Sequence, residues 1–133
     1  MHKVLTFAKS VPKLQKGSNT FILDAYNANP TSMKAAIENF AKMQGEKKVL
    51  LLGGMMELGK DSVAEHQAII NVINNYLWQA VVLVGGDYNK LQHSYINLEN
   101  SLQAKEWFLQ QQFEHTQALI KGSRSMQMEK VLS

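Results

Sequence analysis

From Thr20 onward, short runs of apolar residues alternate with segments in which apolar residues recur at the spacing of a helix. A parallel strand is covered on both faces, so its sequence is a nearly continuous apolar run. Four segments fit this description: TFILDAY, KKVLLLGG, QAVVLVGGD and TQALIKGSR. We therefore predict four buried strands that begin near residues 20, 47, 79 and 116.

Helical periodicity separates these runs. Three helices are predicted, each with one apolar face: from Pro30, with Met33, Ala36, Ile37, Phe40 and Ala41; from Ser62, with Val63, His66, Ile70, Ile73 and Leu77; from Ser101, with Leu102, Leu109 and Phe113. Residues 88–98 predict a short helix and a weak strand, and SMQMEKVL predicts a closing helix or hairpin. Alternating strands and helices favour parallel βαβ units, so the predicted fold is α/β, a Rossmann-like three-layer sandwich with a mostly parallel sheet.

Two of these helices carry a start signal. Asn29 is suited to the N-cap, and Pro30 to the first helical position, where its missing N–H needs no partner. Ser62 and Glu65 have the spacing of a capping box, in which each side chain accepts a hydrogen bond from the other's backbone N–H.

The composition suits one domain with its own core, since 45% of the 133 residues are hydrophobic. We expect the domain to span residues 18–133, after a linker or cloning-derived segment at residues 1–17. The chain has no apolar run of membrane-spanning length and no signal-peptide pattern, so a cytoplasmic protein without membrane insertion is expected. Cysteine is absent and the four histidines are scattered, so no metal site is predicted.

The positive charge is concentrated at one end of the chain. Residues 1–20 contain four lysines and no acidic residue. Since the net charge of the whole chain is +3, the net charge of residues 21–133 is −1. A nucleic-acid-binding protein is expected to show a basic stripe with interleaved aromatic residues. The chain lacks that pattern, so no nucleic-acid partner is predicted.

Polar and glycine-rich loops follow each predicted strand. In an open parallel sheet, ligands bind beyond the carboxyl ends of the strands. The four loops contain Asp24, Tyr26, Asn27 and Asn29; Gly53 to Lys60; Gly85, Gly86 and Asp87; and Lys121, Gly122, Ser123 and Arg124. Such loops are common in this fold class, but we expect these four to open onto one edge.

One of these loops resembles a phosphate-binding P-loop. It contains Gly54, four further residues, Gly59 and Lys60, but Asp61 stands where a P-loop has the Ser or Thr that binds magnesium. The alternative is a glycine-permitted turn with Met55, Met56 and Leu58 packed on the core. The acidic residue and the later helix start favour the turn.

Single residues suggest further chemistry, each with a structural alternative. Arg124 is the only arginine beside thirteen lysines, and it is either an anion clamp or half of a surface salt bridge. Asp24 could bind a ribose or a cation, or could cap a loop. His66 lies on an apolar helical face, which favours a hydrogen-bonded core histidine over a ligand or base. Tyr26 could pack on the protein or stack on a ring.

Three segments resemble, in order and spacing, the C-terminal domain of the Mur ligase family: DAYNANPTSMKAAIENF, LLLGGMMELGKDSVAEHQ and ALIKGSRSMQMEKVL. The resemblance covers roughly residues 18–132. YNANP and KGSR together resemble the corresponding segments of one family member, the ligase that joins D-Ala-D-Ala to UDP-MurNAc-tripeptide in peptidoglycan synthesis.

This resemblance implies a three-domain enzyme, of which the chain is the third domain. The N-terminal domain would bind the UDP-sugar, and the central domain would bind most of the ATP and Mg2+. ATP would activate the tripeptide carboxylate as an acyl phosphate, which the amine of D-Ala-D-Ala attacks. The third domain would hold the dipeptide and complete the nucleotide site on closure, with no catalytic residue and no activity of its own.

The resemblance also implies roles for individual residues. Those expected near the nucleotide are Asp24, Tyr26, Asn27 and Asn29. Those expected to bind substrate, either the dipeptide or a phosphate, are Lys121, Ser123, Arg124, Glu57 and His66. Gly54 stands where the family usually has Asp, Leu23 where a second Asp is frequent, and the family's Arg before the first strand is missing from AKSVPKLQKGS.

Two hypotheses from other classes remain. A stand-alone nucleotide-binding protein of this fold would bind nucleotide without further domains. A flavodoxin-like interaction module would show an acidic cluster or an exposed apolar stripe. No loop has complete phosphate-binding chemistry and neither surface feature is evident, so the sequence favours the ligase domain.

Overall fold

Five strands of the central sheet are parallel, and the sixth is antiparallel at one edge. The computed structural model describes residues 12–133. The strands are β1 Lys13–Lys16, β2 Asn19–Asp24, β3 Lys48–Gly53, β4 Ala80–Val84, β5 Ile96–Leu98 and β6 Gln117–Lys121. The helices are α1 Pro30–Lys42, α2 Ser62–Ile73 and α3 Ser101–Gln111, and short 3-10 turns cover Gly59–Asp61, Gly86–Lys90, Arg124–Met126 and Met128–Leu132. The strand order is β1-β2-β6-β3-β4-β5, so the last strand lies between β2 and β3.

Helices cover both faces of this sheet. Along β3, Leu50 and Leu52 pack with α1 and α2, while Val49 and Leu51 pack with α3 and the C-terminal turn. Both faces of the strand are therefore buried, as its continuous apolar run predicts. This arrangement confirms the predicted three-layer α/β sandwich.

The edge strand β1 lies within the segment that the sequence placed outside the domain. It pairs antiparallel with β2, from Lys13 opposite Ile22 to Lys16 opposite Asn19. Its four residues are exposed, so no buried apolar run marks the strand in the sequence. Backbone pairing and a turn at Gly17 with φ +60° define it instead. Residues 1–11 of the predicted segment lie outside the described residues.

The start of α1 confirms the predicted cap. Asn29 Oδ1 accepts a hydrogen bond from the Ser32 N–H at 2.8 Å, and Ser32 Oγ accepts one from the Asn29 N–H at 3.0 Å. Pro30 is the first helical residue. These reciprocal bonds satisfy backbone donors that would otherwise lack partners.

The predicted capping box of α2 is wrong, although the helix begins at Ser62 as predicted. The turn Gly59–Asp61 leads directly into the helix, and the Ser62 N–H donates to the Gly59 carbonyl. Asp61 occupies the N-cap without a side-chain hydrogen bond. A backbone hydrogen bond from the preceding turn therefore replaces the predicted side-chain caps of Ser62 and Glu65.

The predicted buried faces of α2 and α3 are wrong in part. Four of the predicted apolar positions are exposed: Val63, Leu77, Leu102 and Leu109. The residues that these helices bury are His66, Ile69, Ile70 and Ile73 in α2 and Ser101, Ala104 and Phe108 in α3. Periodicity alone cannot tell which side of a helix meets the sheet when apolar residues occur on both sides.

A buried lysine links the start of β3 to the end of α1. Lys48 is 5% exposed, and its Nζ donates hydrogen bonds to the carbonyl oxygen of Ala41 at 2.9 Å and to that of Met43. Burial lowers the pKa of this ammonium group. The last carbonyl groups of a helix lack intrahelical partners and attract a cation, so Lys48 caps α1 from a neighbouring strand.

We expect Lys48→Met to lower the free energy of unfolding by about 1–3 kcal/mol, since hydrogen bonds from a charged donor contribute about this much. Urea unfolding followed by circular dichroism measures the loss. The matched control is Lys47→Met, because Lys47 is exposed. Equal stability of the two variants would show that the cap contributes nothing.

Candidate functional site

The loops after β2, β3, β4 and β6 meet at one edge of the sheet, as predicted. A pocket of about 270 Å³, called the crevice pocket below, is lined by three of them through Tyr26, Asn27, Ala28, Met56, Glu57, Ser123, Arg124 and Ser125. A second pocket, of about 510 Å³, lies between the loops after β3 and β4. The insertion of β6 between β2 and β3 brings the loops of the crevice pocket together.

An ion pair between a buried lysine and a half-buried aspartate joins the ends of β2 and β6. Lys121 is 2% exposed, and its Nζ lies 2.5 Å from Asp24 Oδ2 and donates to the Asn27 carbonyl at 2.9 Å. Asp24 and Lys121 are direct partners in the paired strands. The lysine therefore fixes the start of the loop after β2, and two of its three protons are used within the protein. This geometry favours an internal role over the predicted substrate contact.

Arg124 stacks on the exposed ring of Tyr26. The guanidinium carbon lies 5.1 Å from the ring centroid, and the Tyr26 side chain is 71% exposed. Within residues 12–133 the ion pairs are Lys90 with Asp87 and Lys121 with Asp24, so the surface salt bridge considered for Arg124 is not formed there. Stacking orients the guanidinium and leaves its N–H donors available for two parallel bonds to an anion.

Of Asn27, Asn29 and Ser123, the last two contribute mainly to loop structure. The Asn29 side-chain oxygen is used in the cap of α1, and Asn29 does not line the crevice pocket. Ser123 is 7% exposed; its N–H donates to the Gly54 carbonyl at 3.2 Å, and its hydroxyl lies 3.1 Å from that of Ser125. The Asn27 side chain is exposed at the pocket. Of the three, Asn27 is therefore the one whose side chain stays free to meet a ligand.

Glu57 has a backbone conformation that favours glycine, with φ +62°. For a residue with a side chain, this region costs roughly 1–2 kcal/mol. The neighbouring residues hold the loop in place, since Met55 is 2% exposed and Leu58 packs against the core. The Glu57 side chain is exposed and lines the crevice pocket.

His66 is a fully buried residue with both ring nitrogens paired. Nε2 accepts a hydrogen bond from the Met55 N–H at 3.1 Å, and Nδ1 donates to the Ser62 carbonyl at 2.7 Å. The ring also meets that of Tyr88 edge to face at 4.6 Å; burial raises the pKa of the Tyr88 phenol. The structure thus favours the core histidine over the substrate contact, and His66 anchors the loop that carries Glu57.

The loop Gly54–Asp61 does not have the arrangement of a P-loop. Lys60 is exposed in the turn that precedes α2, whereas a P-loop lysine opens the helix. Met55 and Leu58 pack on the core as the turn hypothesis predicts, but Met56 is 49% exposed and lines the crevice pocket. The prediction for Met56 is therefore wrong.

The backbone around Gly54 leaves no room for the acidic side chain that the resemblance led us to expect at this position. A Cβ at Gly54 would lie 2.5 Å from the Gly86 Cα, and the Gly54 N–H donates to the Val84 carbonyl at 3.0 Å. The loop after β4 occupies the space that a side chain at this position would need.

Several residues that line the pockets were not among the predicted site residues. Ser125 directly follows the KGSR motif, so the motif itself could have indicated it. Pro12 and Glu129 line a further pocket of about 450 Å³ that shares Tyr26 and Arg124 with the crevice pocket. No sequence pattern links these two residues to the site, because only the fold brings them there.

Residues 12–133 contain neither a metal-binding cluster nor a membrane-spanning helix. No three His, Asp or Glu side chains in this part of the chain lie close enough to hold a metal ion. No helix there is both long enough and apolar enough to cross a membrane.

A family model described as Mur ligase, glutamate ligase domain, matches residues 13–129. The UDP-N-acetylmuramoyl-tripeptide--D-alanyl-D-alanine ligases of Buchnera aphidicola and Rickettsia prowazekii are each 34% identical to this chain, over 114 and 121 residues. These alignments cover 82% and 84% of the chain but 25% and 26% of the relatives. The chain therefore spans about a quarter of the length of these relatives.

Solved structures show the same relationship. MurF from Acinetobacter baumannii superposes with a TM-score of 0.76 at 28% identity, over 91% of this chain and 29% of that one. MurF from Thermotoga maritima in complex with ADP has the same fold, with a TM-score of 0.76 at 23% identity over 90% of this chain and 28% of that one. From the family match and the two relatives, we conclude that the chain belongs to the Mur ligase family and carries its C-terminal domain.

Proposed function

We propose that this chain is the substrate-closing domain of an ATP-dependent ligase that joins D-Ala-D-Ala to UDP-MurNAc-tripeptide. The observation that carries the proposal is the crevice pocket, because the loops of all three Mur-like segments line it. Such a ligase would act in the cytoplasm, in the cell wall biogenesis that supports cell shape and division.

The side chains of this domain indicate which ligands it would bind and which the central domain would bind. ATP would supply the phosphoryl group that activates the tripeptide carboxylate. We assign Mg2+ and most of the nucleotide to the central domain. Arg124 and Asn27 would bind the incoming substrate, and Tyr26 would hold the guanidinium in place.

Lys121 acts in this proposal as a positioning residue. Its ammonium connects the strand before Arg124 to the loop that carries Tyr26, through Asp24 and the Asn27 carbonyl. The two loops must keep their relative position if Arg124 is to stack on Tyr26. Positioning of this kind matters because small displacements of a bound reactant reduce the rate strongly.

For the complete three-domain enzyme we expect ADP release with UDP-MurNAc-tripeptide and ATP to depend on D-Ala-D-Ala. Arg124→Ala should lower kcat/KM for the dipeptide by about tenfold to a hundredfold, because a charge-assisted bidentate contact is lost. The matched control is Lys130→Ala, an exposed cation that does not line the crevice pocket. ADP release that does not depend on D-Ala-D-Ala contradicts the ligase proposal. An unchanged kcat/KM in the Arg124→Ala variant contradicts the role of Arg124 in binding the substrate.

The Lys121–Asp24 pair should show energetic coupling. We expect the stability losses of Lys121→Met and Asp24→Asn to be non-additive by roughly 0.5–3 kcal/mol, because either change alone leaves its partner unpaired. Urea unfolding of both single variants and the double variant measures the coupling. Additive losses would mean that the pair does not act as a unit.

A further inference from the structure

Glu57 and Arg124 carry opposite charges and line the same pocket of about 270 Å³, yet they do not pair with each other. Neither takes part in the ion pairs of residues 12–133, which join Lys90 to Asp87 and Lys121 to Asp24. Glu57 belongs to the loop after β3 and Arg124 to the loop after β6. A cationic and an anionic side chain thus line one small pocket without forming an ion pair with each other.

The conformation of Glu57 adds to this observation. The residue has a φ of +62°, while Gly59 in the same loop has a similar φ of +56° without this steric cost. Glu57 forms no side-chain hydrogen bond within residues 12–133 that would compensate for its strain. Gln112, His115 and Gln127 share this backbone region at turns outside the crevice pocket, so it is the position of Glu57 in the pocket that connects its strain with function.

We infer that the crevice pocket recognises a short zwitterion, with its carboxylate on Arg124 and its ammonium group on Glu57. The inference rests on the proposed function, in which the incoming substrate has a free amine and a free carboxylate. The lining between the two charges includes Ala28 and Met56, which suits small apolar side chains.

The same charges disfavour a phosphate in this pocket. A phosphate group carries more negative charge than a carboxylate and has no cation to offer Glu57, so the Glu57 carboxylate would repel it. Of the two ligands considered for Arg124, the dipeptide therefore fits the pocket better. Glu57 becomes a specificity-determining residue that selects and orients the amine end.

The test uses the complete enzyme and removes each charge from the substrate and from the protein. We expect D-Ala-D-Ala amide, which lacks the carboxylate, to have a kcat/KM about tenfold below that of D-Ala-D-Ala. Arg124→Gln should reduce this preference to near unity, because the group that recognises the carboxylate is gone. A preference that persists in Arg124→Gln overturns the assignment of the carboxylate end.

The amine end is tested with N-acetyl-D-Ala-D-Ala, an unreactive analogue without the ammonium group, as an inhibitor. Glu57→Gln should raise the KM for D-Ala-D-Ala about tenfold and leave the inhibition constant of the analogue unchanged. The matched control is Glu99→Gln, since Glu99 lines the pocket between the loops after β3 and β4. Equal effects of Glu57→Gln on substrate and analogue, or no effect on either, overturn the inference while the ligase proposal stands.

A second variant separates recognition from folding. Glu57→Gly should raise the thermal midpoint, because glycine adopts the positive φ without strain, and should still raise the KM for the dipeptide. If Glu57→Gly keeps the native KM, the side chain has no role in recognition. If the native enzyme shows no turnover that depends on D-Ala-D-Ala, the proposed function fails, and the zwitterion inference fails with it.

Discussion

The ion pair between the buried Lys121 and the half-buried Asp24 is the interaction on which the candidate site depends. It joins two paired strands at the point where both end, and the same ammonium group also holds the carbonyl of Asn27. Removing Asp24 is costly because the charge of the buried lysine then remains uncompensated in a poorly solvated place. The loops that carry Tyr26 and Arg124 therefore keep their relative position without a ligand.

Close packing of the backbone determines how the loops around the rest of the site are arranged. A Cβ at Gly122 would lie 3.0 Å from the Gly53 Cα, and one at Gly54 would lie 2.5 Å from the Gly86 Cα. These contacts bring the loops after three neighbouring strands together and leave no room for side chains between them. The charged side chains of Glu57 and Arg124 line the crevice pocket, where they can meet a ligand.

The parts of the fold that were predictable depend on local interactions or on burial along the whole element. The cap at Asn29 involves residues three positions apart, and β3 is apolar throughout because both its faces are covered. The strand β1 has no such signal, since it is exposed along its length. The role of Lys121 was hidden, because a motif lysine turns out to be buried with its ammonium group used inside the protein, whereas the apolar helical face had already favoured a core role for His66.

The sequence by itself determined the alternation of strands and helices, the family resemblance and the loops in which chemistry could occur. These follow from periodicity, capping and short motifs, all of which act over a few residues. Only the tertiary structure decided which loop residues face a common pocket, because β6 enters the sheet between β2 and β3 after more than ninety residues of intervening chain. Pairing across that distance depends on how the whole sheet packs, and no local pattern encodes it.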